Sequence, residues 1–206
     1  MPNIFFVAIF FGTLSGVLQL SGYVEYFKKV FSGHIKPNSA SWGIWAFGAA
    51  LESISYIYVS DDWIKNILPI VCALSAIAFF IASTYKGHFS RPTKFEWGLI
   101  ITDFIIIIVW FLTSSPFVAN TLLIVTAIIS FIPIYINTWK NPIAEHALPW
   151  LLWSLAYAMM LIAVFIRWEK WEDMLYPVTF LVLHILMFLF ALDYRKIGRN
   201  FNNKLA

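Results

Sequence analysis

Ser41-Trp42-Gly43-Ile44-Trp45-Ala46 and Pro149-Trp150-Leu151-Leu152-Trp153-Ser154 carry the same Trp-x-x-Trp step, 108 residues apart. The offset holds outward without a gap. Trp63 falls on Trp171, Pro69 on Pro177, and Asp61 on Glu169. Tryptophan is rare, so three coincident pairs and a proline mark an internal repeat. Each copy spans three apolar segments, and one odd segment lies between the copies. An odd linker lets both three-helix units enter a bilayer in the same direction, the arrangement of a parallel repeat.

The surrounding composition places that repeat in a membrane. Of 206 residues, 61% are hydrophobic and 12% charged, about half the charge of a soluble domain. The charges form short islands between apolar runs long enough to cross a hydrocarbon core of about 30 Å. Seven spans are expected at 4–27, 40–59, 66–85, 96–113, 118–139, 148–166 and 176–194. The units are then a first bundle (1–87), a linker helix (88–117) and a second bundle with a basic tail (118–206). The first span lacks a basic leader, so it reads as helix 1 rather than a signal peptide. The single cysteine, Cys72, excludes an internal disulfide and a cysteine zinc site.

Basic residues set the orientation. Lys28, Lys29, Lys36, Lys86, Arg91, Lys94, Lys140 and the four of the tail fall on one side. Only Lys65, Arg167 and Lys170 fall on the other. This split predicts the N-terminus outside and the C-terminus in the cytosol, in a bacterial inner membrane. A net charge of +3 gives no reason to invoke nucleic acid.

The run Phe131-Ile132-Pro133-Ile134-Tyr135-Ile136-Asn137-Thr138-Trp139-Lys140-Asn141, continuing into Leu148-Pro149-Trp150-Leu151-Leu152-Trp153, resembles the SWEET and PQ-loop transporters. It has the proline-bearing helix, the basic turn and the tryptophan-bearing next helix of that family. Thr84-Tyr85-Lys86-Gly87 resembles the family's helix 3 ending. The first repeat departs, with Glu25 where the second has Pro133, and the Pro-Gln pair is absent from both. The resemblance implies two three-helix bundles ordered 1–3–2, a central pathway and transport by alternating access. The nicotinamide-riboside carriers, a PnuC-type family, are similar in architecture and offer a second reading: a vitamin or nucleoside carrier. A non-transporting receptor or assembly factor of the same fold is the third.

Helix 2 carries Trp42, Trp45, Ala49, Glu52 and Tyr56 at a spacing that keeps them on one face. The equivalents on helix 6 are Trp150, Trp153, Tyr157, Met160 and Val164. Trp42 and Trp150 lie at helix ends, where interfacial anchoring competes with gating. Trp45 and Trp153 lie one turn deeper and are assigned to the solute, with Tyr56 and Tyr157. Glu52 lies about 18 Å from the inner start of helix 2, and His184 about 12 Å from the outer start of helix 7. The two therefore share a depth. An ionisable residue there is a functional candidate by default. The pair is read as solute-binding and proton-coupling, against a plain interhelical hydrogen bond. Pro133 is a candidate hinge for gating. Pro69 and Pro177 read as first-turn prolines.

Asp103, in the linker, is expected to bond Ser75 or Ser83, outside the pathway. Gln19, Thr126, Ser130 and Asn137 either line a cavity or join helices. His34, His88 and His146 fall in inner loops, where they read as solvated. No mid-membrane Lys suggests a retinal Schiff base, no Arg series a voltage sensor, and no His pair haem or zinc. No hydrolase constellation is visible, so an enzyme is not expected, nor a cofactor. The partners expected are the lipid bilayer and a small neutral or ring-bearing solute; a homo-oligomer is left open.

Overall fold

The computed structural model describes residues 2–33, 38–142 and 145–192. Those residues form seven α-helices: α1 (Pro2–Phe31), α2 (Ser39–Val59), α3 (Trp63–Lys86), α4 (Lys94–Thr113), α5 (Pro116–Lys140), α6 (Ala147–Ile166) and α7 (Leu175–Ala191). A 3₁₀ turn, Trp171–Met174, leads into α7. His34, Lys36 and the four basic residues of the tail lie outside the described residues.

Local chemistry starts the helices where polar residues interrupt the apolar runs. Asn38 accepts a hydrogen bond from the Ala40 amide, and Asp62 accepts one from that of Ile64. Thr93 and Glu96 satisfy each other's backbone amides in a capping box. Ser115 caps α5 with Pro116 behind it, a first-turn position whose missing amide costs no hydrogen bond. Pro69 lies in the second turn of α3 rather than the first, because Asp62 starts that helix earlier than the hydropathy does.

Six helices are long and apolar enough to cross a membrane, and they mark the chain as an integral membrane protein. The seventh, α2, is long enough at 21 residues, but Glu52 and its serines lower its hydropathy. Large apolar side chains cover the outside; Phe104, Ile105, Ile108, Phe111 and Leu112 of α4 are all exposed. In water such a surface would be an association site, whereas in lipid it is the solvated one.

The helices close a circuit. α1 packs on α3, α3 on α2, α2 on α5, α5 on α7, α7 on α6, and α6 again on α1. α4 stands outside the circuit, against α5 and α2. Two seams therefore join the triplets α1–α3 and α5–α7: the α1–α6 seam and the α2–α5 seam. The core between them is aromatic, built from Tyr23, Tyr26, Phe79, Phe131, Trp150, Trp153, Tyr157, Tyr176 and Phe180.

Candidate functional site

A cavity of about 520 Å³ lies inside the circuit. That is within the range of small-molecule sites. Its lining reaches Asn38, Ser90, Thr93 and Glu145, in the loops at one end, and so it opens there. At the other end it stops at Gln19, Glu52 and Tyr157.

Polar side chains shut that far end. Lys65, fully buried in α3, donates to Asp173 Oδ2 at 2.7 Å and to Glu169 Oε2 at 3.0 Å. Arg167 pairs with Asp62. The Tyr56 hydroxyl donates to the Asp173 carbonyl at 2.8 Å. The hydroxyls of Tyr157 and Tyr176 lie 3.3 Å apart. Lys65 and Asp173 are themselves 108 residues apart. The repeat thus places matching positions of the two triplets against each other, with opposite charges. The offset that aligns the tryptophans contains this pair, although tryptophan landmarks draw attention elsewhere.

Most of the side chains singled out in the sequence meet in the cavity. Trp42, Trp45, Glu52, Pro133, Trp150, Trp153, Tyr157 and His184 all line it. So do Gln19, Thr126, Ser130 and Asn137. Tyr56 does not: its bond to Asp173 holds it in the closed end. Trp42 and Trp150 stand toward the open end. Trp42 lies 4.1 Å from the Phe79 ring, and Trp150 Nε1 donates to Glu145 at 3.2 Å.

Glu52 and His184 face the same cavity, but no hydrogen bond or ion pair joins them. His184 is turned the other way. Its Nδ1 donates to the Phe180 carbonyl at 2.7 Å. A carbonyl only accepts, so this bond fixes the proton on Nδ1 and leaves Nε2 free to accept. The rings of Phe131, Trp150, Trp153 and Tyr157 surround it, with centroids 5.0–5.8 Å away.

Asp103 corrects the reading of the linker. It bonds neither Ser75 nor Ser83, since α4 packs on α5 and α2. It points instead into the cavity, with Oδ2 3.7 Å from the place a Cβ would occupy on Gly48. Gly48 is one turn from Glu52 on α2, so two carboxylates from different helices share one wall. An acid amid the apolar residues of α4 is itself a signal, but the repeat has no second copy of that helix to say which neighbour Asp103 faces. His146 is also less solvated than expected. Its Nδ1 is buried without a partner, and burial lowers its proton affinity.

No protein-family model, curated protein or solved structure matches this chain.

Proposed function

We propose that this chain is a small-solute membrane transporter of the SWEET-like, PQ-loop kind, working by alternating access. One observation carries the reading: a ligand-sized cavity between two helix triplets, open at one end and shut at the other by buried polar contacts. A pathway that alternates needs both a site and a breakable closure, and the Lys65–Asp173 contact supplies the second. In this proposal all seven helices span, and the triplets α1–α3 and α5–α7 are parallel bundles that rock about the cavity. The N-terminus is outside and the C-terminus cytosolic, in a bacterial inner membrane, so the cavity opens to the cytosol here. Trp45, Trp153, Tyr157, Glu52 and His184 contact the solute, while Trp42, Trp150 and Pro133 gate the open end. Proton linkage runs through Glu52 and His184 as separate groups facing one cavity.

The test is solute uptake into proteoliposomes, screening sugars, nucleosides and vitamins. Saturable uptake that falls with Trp45→Ala and Trp153→Ala supports transport between the triplets. Absence of flux for every solute, with the protein folded, overturns it. For coupling, an imposed pH gradient should drive accumulation in the wild type and only downhill exchange in Glu52→Gln. A topology reporter after Ala206 should read cytosolic.

A further inference from the structure

The charged side chains that line the cavity are one-sided. They are Glu52, Glu96, Asp103 and Glu145, with His184; no Lys or Arg among the described residues lines it. Glu96 and Glu145 have work elsewhere. Glu96 accepts from Ser41 and from the Thr93 amide, and Glu145 accepts from the Trp150 indole. Glu52 and Asp103 are different. They are 7% and 3% exposed, and neither carboxylate has a hydrogen bond or ion pair to a described residue. Asp103 Oδ1 is fully buried and unpartnered.

Two carboxylates on one wall with no protein cation beside them repel each other when ionised, and in a membrane interior such groups are met either by a proton or by something of opposite charge. Three features say what kind of cation that is. No group of three or more acidic, His or Cys side chains among the described residues is placed to hold a metal ion. The cavity, at about 520 Å³, is far larger than a bare inorganic ion. Its walls are aromatic: Trp45 shares the helix face of Glu52, and its ring meets Phe131 edge-on at 5.2 Å. Carboxylates beside indole faces are the surroundings that favour an ammonium or ring cation.

We propose that the solute of this cavity is an organic cation, held by the Glu52 and Asp103 carboxylates against the Trp45 ring. The proposal rests on the transport reading and narrows it from a neutral or ring-bearing solute to a charged one. It also gives α4 a task, since that helix brings Asp103 to the site.

The test uses the purified full chain in nanodiscs and two probes of matched skeleton. Phenyltrimethylammonium carries a fixed positive charge; N,N-dimethylaniline is uncharged at neutral pH. Calorimetry should show the cation binding at least tenfold tighter. Glu52→Gln and Asp103→Asn should each weaken the cation by tenfold or more and so narrow its advantage over the neutral probe, in protein that stays folded by circular dichroism. Asp103→Glu should retain most of the binding. Equal affinity for the two probes, or variants that bind the cation like wild type, overturns the proposal. Variants that alter only the pH dependence of uptake show that the carboxylates hold a proton instead, which also overturns it. If the cation fails to bind while a neutral solute still enters proteoliposomes, only the cation assignment falls. If the cation binds and no solute crosses, the transport reading falls and the cation site stands.

Discussion

The two seams between the helix triplets are built from repeat-related residues, yet one is sealed and the other is not. In the α1–α6 seam, Trp153 donates its indole N–H to the Gln19 carbonyl at 3.1 Å and lies across Gly22. A Cβ at Gly22 would stand 2.4 Å from that nitrogen, so only glycine permits the contact. In the α2–α5 seam the equivalent residues are Trp45, Ala127 and Ser130. There Ser130 donates to the Ala127 carbonyl at 2.7 Å, occupying the acceptor that Trp45 would use. Trp45 stays half-buried and faces the cavity. One side chain, glycine or serine, separates a tryptophan whose N–H is held by the neighbouring helix from one whose N–H has no partner among the described residues, although both rings line the cavity.

The linker helix explains why the two seams tolerate different fates. An open seam facing lipid leaves polar groups unsatisfied in hydrocarbon, which is costly. Among the described residues no further helix covers the α1–α6 seam, and its own tryptophan closes it. The α2–α5 seam has α4 outside it, and Phe95, Leu99 and Asp103 of α4 reach the cavity through it. The two helices still touch toward the closed end, where Asn120 donates to Ser55 at 2.9 Å.

The contact that shuts the far end between the two seams, from α3 to the turn before α7, should give the largest effect. Lys65→Met leaves Asp173 buried without its cation, a loss of about 3–5 kcal/mol. Denaturant unfolding in detergent should show this as a lowered midpoint. An unchanged midpoint would remove Lys65 from the closure. Next comes Gly22→Ala, which forces Trp153 off the α1 backbone and should cost about 1–3 kcal/mol through overpacking. Fluorine spectra of fluorotryptophan-labelled protein should move the Trp153 signal toward that of Trp45; a fixed signal would mean the seams differ for another reason.

Ser130→Gly is the reverse experiment and a smaller one. It frees the Ala127 carbonyl and the space beside it, within about 1 kcal/mol of neutral. Trp45 should become less accessible to an aqueous quencher, and the cavity should take up solute more slowly. The smallest effect concerns the open end. Burial raises the proton affinity of Glu145, partly offset by the Trp150 indole. The folded chain therefore holds that proton more tightly than the unfolded one. The stability it contributes is present at low pH and declines as pH rises through the raised value. Glu145→Gln should flatten that part of the melting temperature against pH profile. A profile identical to wild type would place the carboxylate in water.

The tryptophan ladder and the apolar runs were enough to locate seven helices, since hydropathy acts within a few residues of chain. The aromatic and acidic residues expected to meet do mostly meet. Helical periodicity already places Trp42, Trp45 and Glu52 on one face of α2, and Trp150, Trp153 and Tyr157 on one face of α6. Tertiary structure decided the rest. It withdrew Tyr56 into the closed end, turned His184 toward Phe180 and away from Glu52, brought Asp103 beside Gly48, and set Lys65 against Asp173. The periodicity of a helix says which of its residues share a face. Which neighbour that face meets depends on how far each helix is rotated, and that is settled only when every side chain of the bundle is packed at once.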